Sequence, residues 1–218
     1  MNDLLSKFLY YLNLNFGISS LLYSLPGIIL ALTIHEYSHA LAAFAMGDNT
    51  ARQYGRLTLN PIAHMDPLGF LCLIVTRRFG WAKPVPVNDM YFRNRRKGML
   101  LVSLAGPMSN FITALLIAAV YAVFYKSMGE ITKGILQIAY IINLSIGAFN
   151  LLPIPPLDGS KILDAFLNDR QRFFMRRYAG YSNILMLILI FSGIIGRVLG
   201  PVIMVMDWFI NSAIGLFI

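Results

Sequence analysis

Histidines 35 and 39 and the glutamate between them at 36 lie in the stretch T-I-H-E-Y-S-H-A, Thr33 to Ala40. On a helix, residues four apart share a face, so both imidazoles can turn a ring nitrogen toward one metal ion. Glu36 follows the first histidine directly. That makes it an awkward third ligand but sets its carboxylate beside the ion, where it can take a proton from a water held there. This is the donor set of a metallohydrolase. A pattern this short arises by chance in soluble chains, but here it is embedded in an apolar run from Leu21 to Met46. Charged side chains at hydrocarbon depth cost roughly 2.5–3.5 kcal/mol each on insertion scales, and those that occur there ordinarily face a functional cavity.

The elements that must position these residues are membrane helices. Hydrophobic residues make up 57% of the 218 and charged residues only 13%, with a mean hydropathy of +0.65. A spanning helix needs about 20 mostly apolar residues. Runs at 21–46, 99–125 and 131–152 meet that length, and the run 181–218, interrupted by Arg197, Gly200 and Pro201, is long enough for two short segments at about 181–197 and 201–218, either a helical hairpin or one span plus an interfacial helix. The expected fold class is therefore an all-α polytopic membrane protein with four to six transmembrane helices, residues 1–218 forming a single membrane domain. Met1 to Phe16 is mildly amphipathic and reads as an interfacial segment rather than a cleavable signal. One cysteine, Cys72, excludes an internal disulfide.

The net charge of +8 has its explanation in topology rather than in nucleic-acid binding. Lys and Arg number nine in 47–98 and five in 153–180, against two in 126–134. The rule that cytoplasmic loops are rich in Lys and Arg places the first two connections in the cytoplasm. The first span then runs inward, with the H-E-Y-S-H turns in its cytoplasmic half. The cluster Arg93, Arg95 and Arg96 is part of the same signal.

A zinc ion held by two histidines takes a third protein ligand and keeps a fourth position open. His64 is a candidate by type, in a polar connection with Asn60, Pro61 and Pro67. Asp158 is the other, closing N-L-L-P-I-P-P-L-D-G (Asn150 to Gly159) on the same side of the membrane as His35 and His39. Its prolines stop a helix and Gly159 permits a sharp turn beside the carboxylate. The structural alternative is that Asp158 caps the next helix. Asn110, early in the second long span, needs a partner there: it reads as interhelical packing, with a hydrogen bond near the histidine helix or to a substrate as the alternatives. Asp207 and Arg197 read as interfacial.

H-E-Y-S-H in the first long span, joined with N-L-L-P-I-P-P-L-D-G after a later one, resembles the site-2 protease family of intramembrane zinc metalloproteases, peptidase family M50. G-R-L-T-L-N-P-I-A-H-M-D-P-L-G-F, G-W-A-K-P-V-P-V-N and L-A-G-P-M-S-N-F are similar to its compact prokaryotic members without PDZ or CBS domains, so the likeness covers about Ile28 to Lys161. The resemblance implies that His35, His39 and Asp158 bind one Zn2+ and that Glu36 is the general base. It assigns Asn150 to the substrate carbonyl or its oxyanion, beside the plainer reading of a hydrogen bond at a helix end. It further implies peptide-bond hydrolysis in transmembrane protein substrates, a prokaryotic cell membrane, and regulated intramembrane proteolysis. The connection 71–87 is implied to re-enter the membrane as a β-hairpin whose edge pairs with unwound substrate; a covering loop is the alternative. Two other classes of function place similar residues in a membrane. A zinc transporter has no use for Glu36 at that offset and would need a polar relay through the later spans. A catalytically silent scaffold has no reason to hold every implied catalytic group.

Overall fold

The computed structural model describes residues 18–76, 80–192 and 194–215, and among these the regular elements are all helices. The first, α1 (Ile18–Ala45), carries the H-E-Y-S-H turns. It ends where Gly47, at φ 106°, takes a left-handed conformation that a side chain would resist, and Asp48 N–H closes back on Ala43 O at 2.9 Å. Short helices α2 (Thr50–Gln53), α3 (Pro61–His64) and α4 (Pro67–Thr76) follow. Asn60 caps α3, accepting from Ile62 N–H at 3.1 Å with Pro61 in the first helical position, where its missing N–H costs nothing.

The long helix α5 (Arg95–Phe124) is capped by Asn94, which accepts from Lys97 N–H at 3.0 Å. The chain continues through α6 (Glu130–Asn150), α7 (Asp158–Asp164), α8 (Asp169–Tyr178), α9 (Ser182–Phe191) and α10 (Ile194–Gly215). Helices α1, α5, α6 and α10 are long and apolar enough to cross a membrane, making this an integral membrane protein. In lipid no hydrophobic force drives one apolar helix against another, so small residues that allow close approach hold the bundle together. A Cβ on Gly27 would come within 2.7 Å of Ala139 Cα, which puts α1 and α6 nearly backbone to backbone. The main core joins α5, α6 and α10 through Phe111, Ala114, Ile141, Leu144, Ala148, Leu199, Ile203 and Ile210. α7 packs on α5, bringing the end of the Pro-rich segment to the histidine face of α1.

The structure bears on two regions that the sequence left open. Over 71–87, where residues 77–79 lie outside the described ones, no strand forms among the described residues and their extended backbone pairs only at one antiparallel bridge, Met65 to Ala82, so the β-hairpin implied by the resemblance is unsupported beside the alternative of a covering loop. Ile74, Val75 and Thr76 belong to α4, which Pro67 starts and Asp66 caps by accepting from Gly69 N–H at 2.9 Å. Beyond it Pro84 and Pro86 cannot donate to a ladder. The run 181–218, open between a helical hairpin and one span with an interfacial helix, holds α9 and α10 among the described residues, and only α10 has the length of a span. The break falls before Ile194, whose N–H donates to Ser192 Oγ at 3.4 Å, and α10 runs on through Arg197, Gly200 and Pro201. A proline removes a single backbone bond, and neighbouring helices in a bundle tolerate that. At ten residues α9 is about half the length of a span.

Candidate metal centre

His35 and His39 sit one turn apart on α1, both buried, with their rings edge to face at 87° and centroids 4.6 Å apart. Each Nδ1 meets an acceptor on α5. His39 Nδ1 lies 2.7 Å from the Val102 carbonyl, which can only accept, so that nitrogen carries the proton. His35 Nδ1 lies 2.7 Å from Asn110 Oδ1. The orientation of that amide is set by its other end, since Asn110 Nδ2 donates to Ala31 O at 3.0 Å and to Asn143 Oδ1 at 3.2 Å. Asn143 in turn donates to Ala139 O at 2.9 Å. Asn110 and Asn143 are fully enclosed, and every link of this chain joins a donor to an acceptor.

With a proton on each Nδ1, both Nε2 atoms present bare lone pairs. They are 3.0 Å apart, and Asp158 Oδ2 lies 3.1 Å from that of His35 and 2.9 Å from that of His39. Three acceptors at this separation repel one another unless a cation stands among them. Tetrahedral zinc with ligands at about 2.0–2.1 Å has ligand-to-ligand edges of about 3.3–3.4 Å, close to this triangle. Among the described residues this is also the one group of His, Cys, Asp or Glu side chains placed to share an ion. Donor chemistry and spacing therefore fit a zinc ion.

Two glycines let the cage close. A Cβ on Gly106 would lie 2.5 Å from His39 Nε2 and 2.7 Å from His35 Cε1, so α5 offers the imidazoles a surface only glycine leaves open. A Cβ on Gly159 would lie 2.2 Å from Leu151 O, so the start of α7 can tuck against the end of α6 only with glycine there. Asp158 Oδ1, buried, faces the half-exposed Lys161 Nζ at 3.5 Å.

Glu36 projects beside the cluster, and its Oε2 accepts from Val85 N–H at 2.9 Å. Arg56, itself enclosed, donates to the Lys83 carbonyl. Burial lowers its basicity and the nearby Glu36 charge opposes that. His64, the other candidate third ligand, stands apart: its Nε2 donates to Thr58 O at 2.7 Å, and its Nδ1 is buried without a partner. Asn150 closes α6 with one amide proton donated to Ile146 O at 3.0 Å, on its own helix. Asp207, read from the sequence as interfacial, lies well inside α10 and accepts from Tyr140 OH at 2.7 Å. Four contributors escaped the sequence reading: Gly106, the Val102 carbonyl, Asn143 and the Val85 N–H. Gly106 lay within a quoted motif without a role, and backbone donors and acceptors leave no trace in residue type.

Comparison with known proteins agrees with this centre. The family described as "Peptidase family M50" matches residues 125–193, which include Asp158. "Putative zinc metalloprotease YwhC" of Bacillus subtilis (strain 168) is 38% identical over 206 residues, 91% of each chain. "Putative zinc metalloprotease Rip2" of Mycolicibacterium smegmatis is 29% identical over 179 residues, 79% of this chain and 68% of the relative. The protein of the same name from Mycobacterium tuberculosis (strain H37Rv) is 31% identical over 172 residues, 76% of this chain and 65% of the relative. No solved structure matches the chain significantly. Likeness to YwhC over nearly the whole length of both chains, with a cage of two histidines and an aspartate fit for zinc, places this protein in peptidase family M50, among the zinc metalloproteases.

Proposed function

We propose that the chain, as a single membrane domain, hydrolyses peptide bonds within or beside transmembrane segments of other proteins. His35, His39 and Asp158 hold one zinc, and Glu36 is the general base. The observation that carries this is the convergence of three unprotonated ligand atoms from α1 and α7 with a carboxylate alongside, at a depth in α1 where such groups are expensive. With the end of α1 set at the membrane surface, His35, ten residues back and about 15 Å along the axis, comes near the middle of a hydrocarbon layer about 30 Å thick. The Lys and Arg surplus in the connections after α1 and α6 supports a cytoplasmic approach to the site.

When bound, zinc supplies Lewis acidity, polarising the scissile carbonyl and making water a nucleophile near neutral pH. Glu36 orients the attacking water, takes its proton and delivers it to the leaving amine. The substrate must be extended there, because a helix ties up each carbonyl in an i to i−4 bond. Lys83 to Pro86 provides a matching stretch, and the carbonyls of Pro84, Val85 and Pro86 have no donor bonded to them among the described residues. Substrate N–H groups can be taken there, on a strap rather than a hairpin. Asn150 spends one of its two amide protons on Ile146 O, and the other is free to hold a substrate carbonyl.

The test is zinc content and cleavage of a single-pass membrane protein in liposomes by the native chain, Glu36→Gln and Asp158→Ala. The reading requires that native protein cuts and holds about one zinc, that Glu36→Gln holds zinc without cutting, and that Asp158→Ala loses the metal. Zinc movement across the liposome without cleavage would instead make the chain a transporter. Full cleavage by Glu36→Gln would end the role given to that residue.

A further inference from the structure

The segment Lys83-Pro84-Val85-Pro86 has little conformational choice. Each proline fixes its own φ, and each presses the residue before it toward extended backbone. Neither proline has an N–H, so from Pro84 to Pro86 a single backbone donor exists, that of Val85. It points at Glu36 Oε2, 2.9 Å away. The strap is moored on both sides of this contact. Lys83 N–H donates to His64 O at 2.9 Å, its carbonyl receives the Arg56 guanidinium, and Asn88 N–H donates to Asp48 Oδ2 at 2.7 Å. At its base, a Cβ on Gly69 would lie 2.2 Å from Trp81 O, so the strap rests directly on α4. Among the described residues no hydrogen bond reaches the second carboxylate oxygen, Oε1.

We infer that Val85 is a positioning residue: its N–H fixes Glu36 Oε2 and thereby presents Oε1 to the attacking water. This rests on Glu36 being the base. A glutamate carboxylate otherwise turns freely about its last torsion, which is broad and two-fold, so either oxygen could face the reacting atoms or neither. A backbone donor held by two prolines removes that freedom without adding a side chain to a crowded site. It also keeps the donor from the substrate: the strap meets a bound peptide with carbonyls only.

The experiment uses full-length, zinc-loaded protein in nanodiscs with a single-pass substrate. Val85→Pro deletes the N–H and keeps an extended backbone. Expected is a fall in kcat of about 10- to 100-fold for Val85→Pro, with KM and zinc content near native. The second readout needs no activity. Amide hydrogen exchange of the peptide spanning 83–86 should be slow in the native chain and in Glu36→Gln, which retains an acceptor, and faster in Glu36→Ala. Native kcat in Val85→Pro, or a loss confined to KM, overturns the inference, and so does exchange indifferent to Glu36→Ala. If Val85→Pro does not fold, exchange alone decides. A native chain that cleaves nothing overturns the underlying role of Glu36, and exchange still reports whether the contact exists.

Discussion

Each histidine is oriented by the atom behind it. Asn110 and the Val102 carbonyl take the Nδ1 protons, so each Nε2 is left bare to serve as the ligand atom of the proposed zinc site. Replacing Asn110 by Leu strands the His35 proton and frees the ring to turn. Zinc affinity should fall about 10- to 100-fold, measured by competition with a chromophoric chelator. Gly106→Ala drives a methyl into both imidazoles and should lose most bound zinc while the helices persist, as metal analysis beside circular dichroism would show. Asn150→Ala should keep zinc and fold, and lose about 100- to 1,000-fold in kcat, as for removal of a lone oxyanion donor. Unchanged kcat would leave Asn150 as a helix-end hydrogen bond. At this scale the sequence disclosed ligand types and little about their orientation. His35, Glu36 and His39 announce themselves by spacing, whereas the groups that fix His35 and His39 lie 75 and 63 residues away.

Among the elements, α7 has the most exacting task, since its first residue must reach a site built on α1. Gly159 makes that feasible by letting α7 start almost in contact with the Leu151 and Leu152 carbonyls. Gly159→Ala should push α7 outward and weaken zinc binding at least tenfold with helix content unchanged, a result that calorimetric titration would check. The long helices were legible because an apolar run of about 20 residues in a chain this hydrophobic has few other uses. The connections were not. Ile74 to Thr76 favours strand locally, but Asp66 and Pro67 upstream start a helix that carries through it. Pro201 reads as a terminator in water and is accommodated inside α10, where Leu199 and Ile203 are buried in the bundle.

For the molecule as a whole, charge asymmetry predicts orientation. In a Cys72→Ser background, single cysteines at Asn49 and at Gln171 should react with a membrane-impermeant maleimide only from the cytoplasmic side. One at Ser127 should react only from the opposite side. The reverse pattern would invert the topology and move the approach to the site. Removing zinc with a chelator should abolish cleavage reversibly and lower thermal stability, since an ion bound only by the folded state stabilises it. The two sides of the cage also lie far apart along the chain, with His39 and Asp158 separated by 119 residues. Synthesis proceeds from the N-terminus, so the first three membrane helices are made while the ion still lacks its aspartate. If the proposed cleavage of membrane segments is its activity, the protein would therefore stay unarmed beside other nascent proteins during insertion, its own translation serving as the timer. Chains halted before Leu157 should bind zinc far more weakly than chains halted after Asp164.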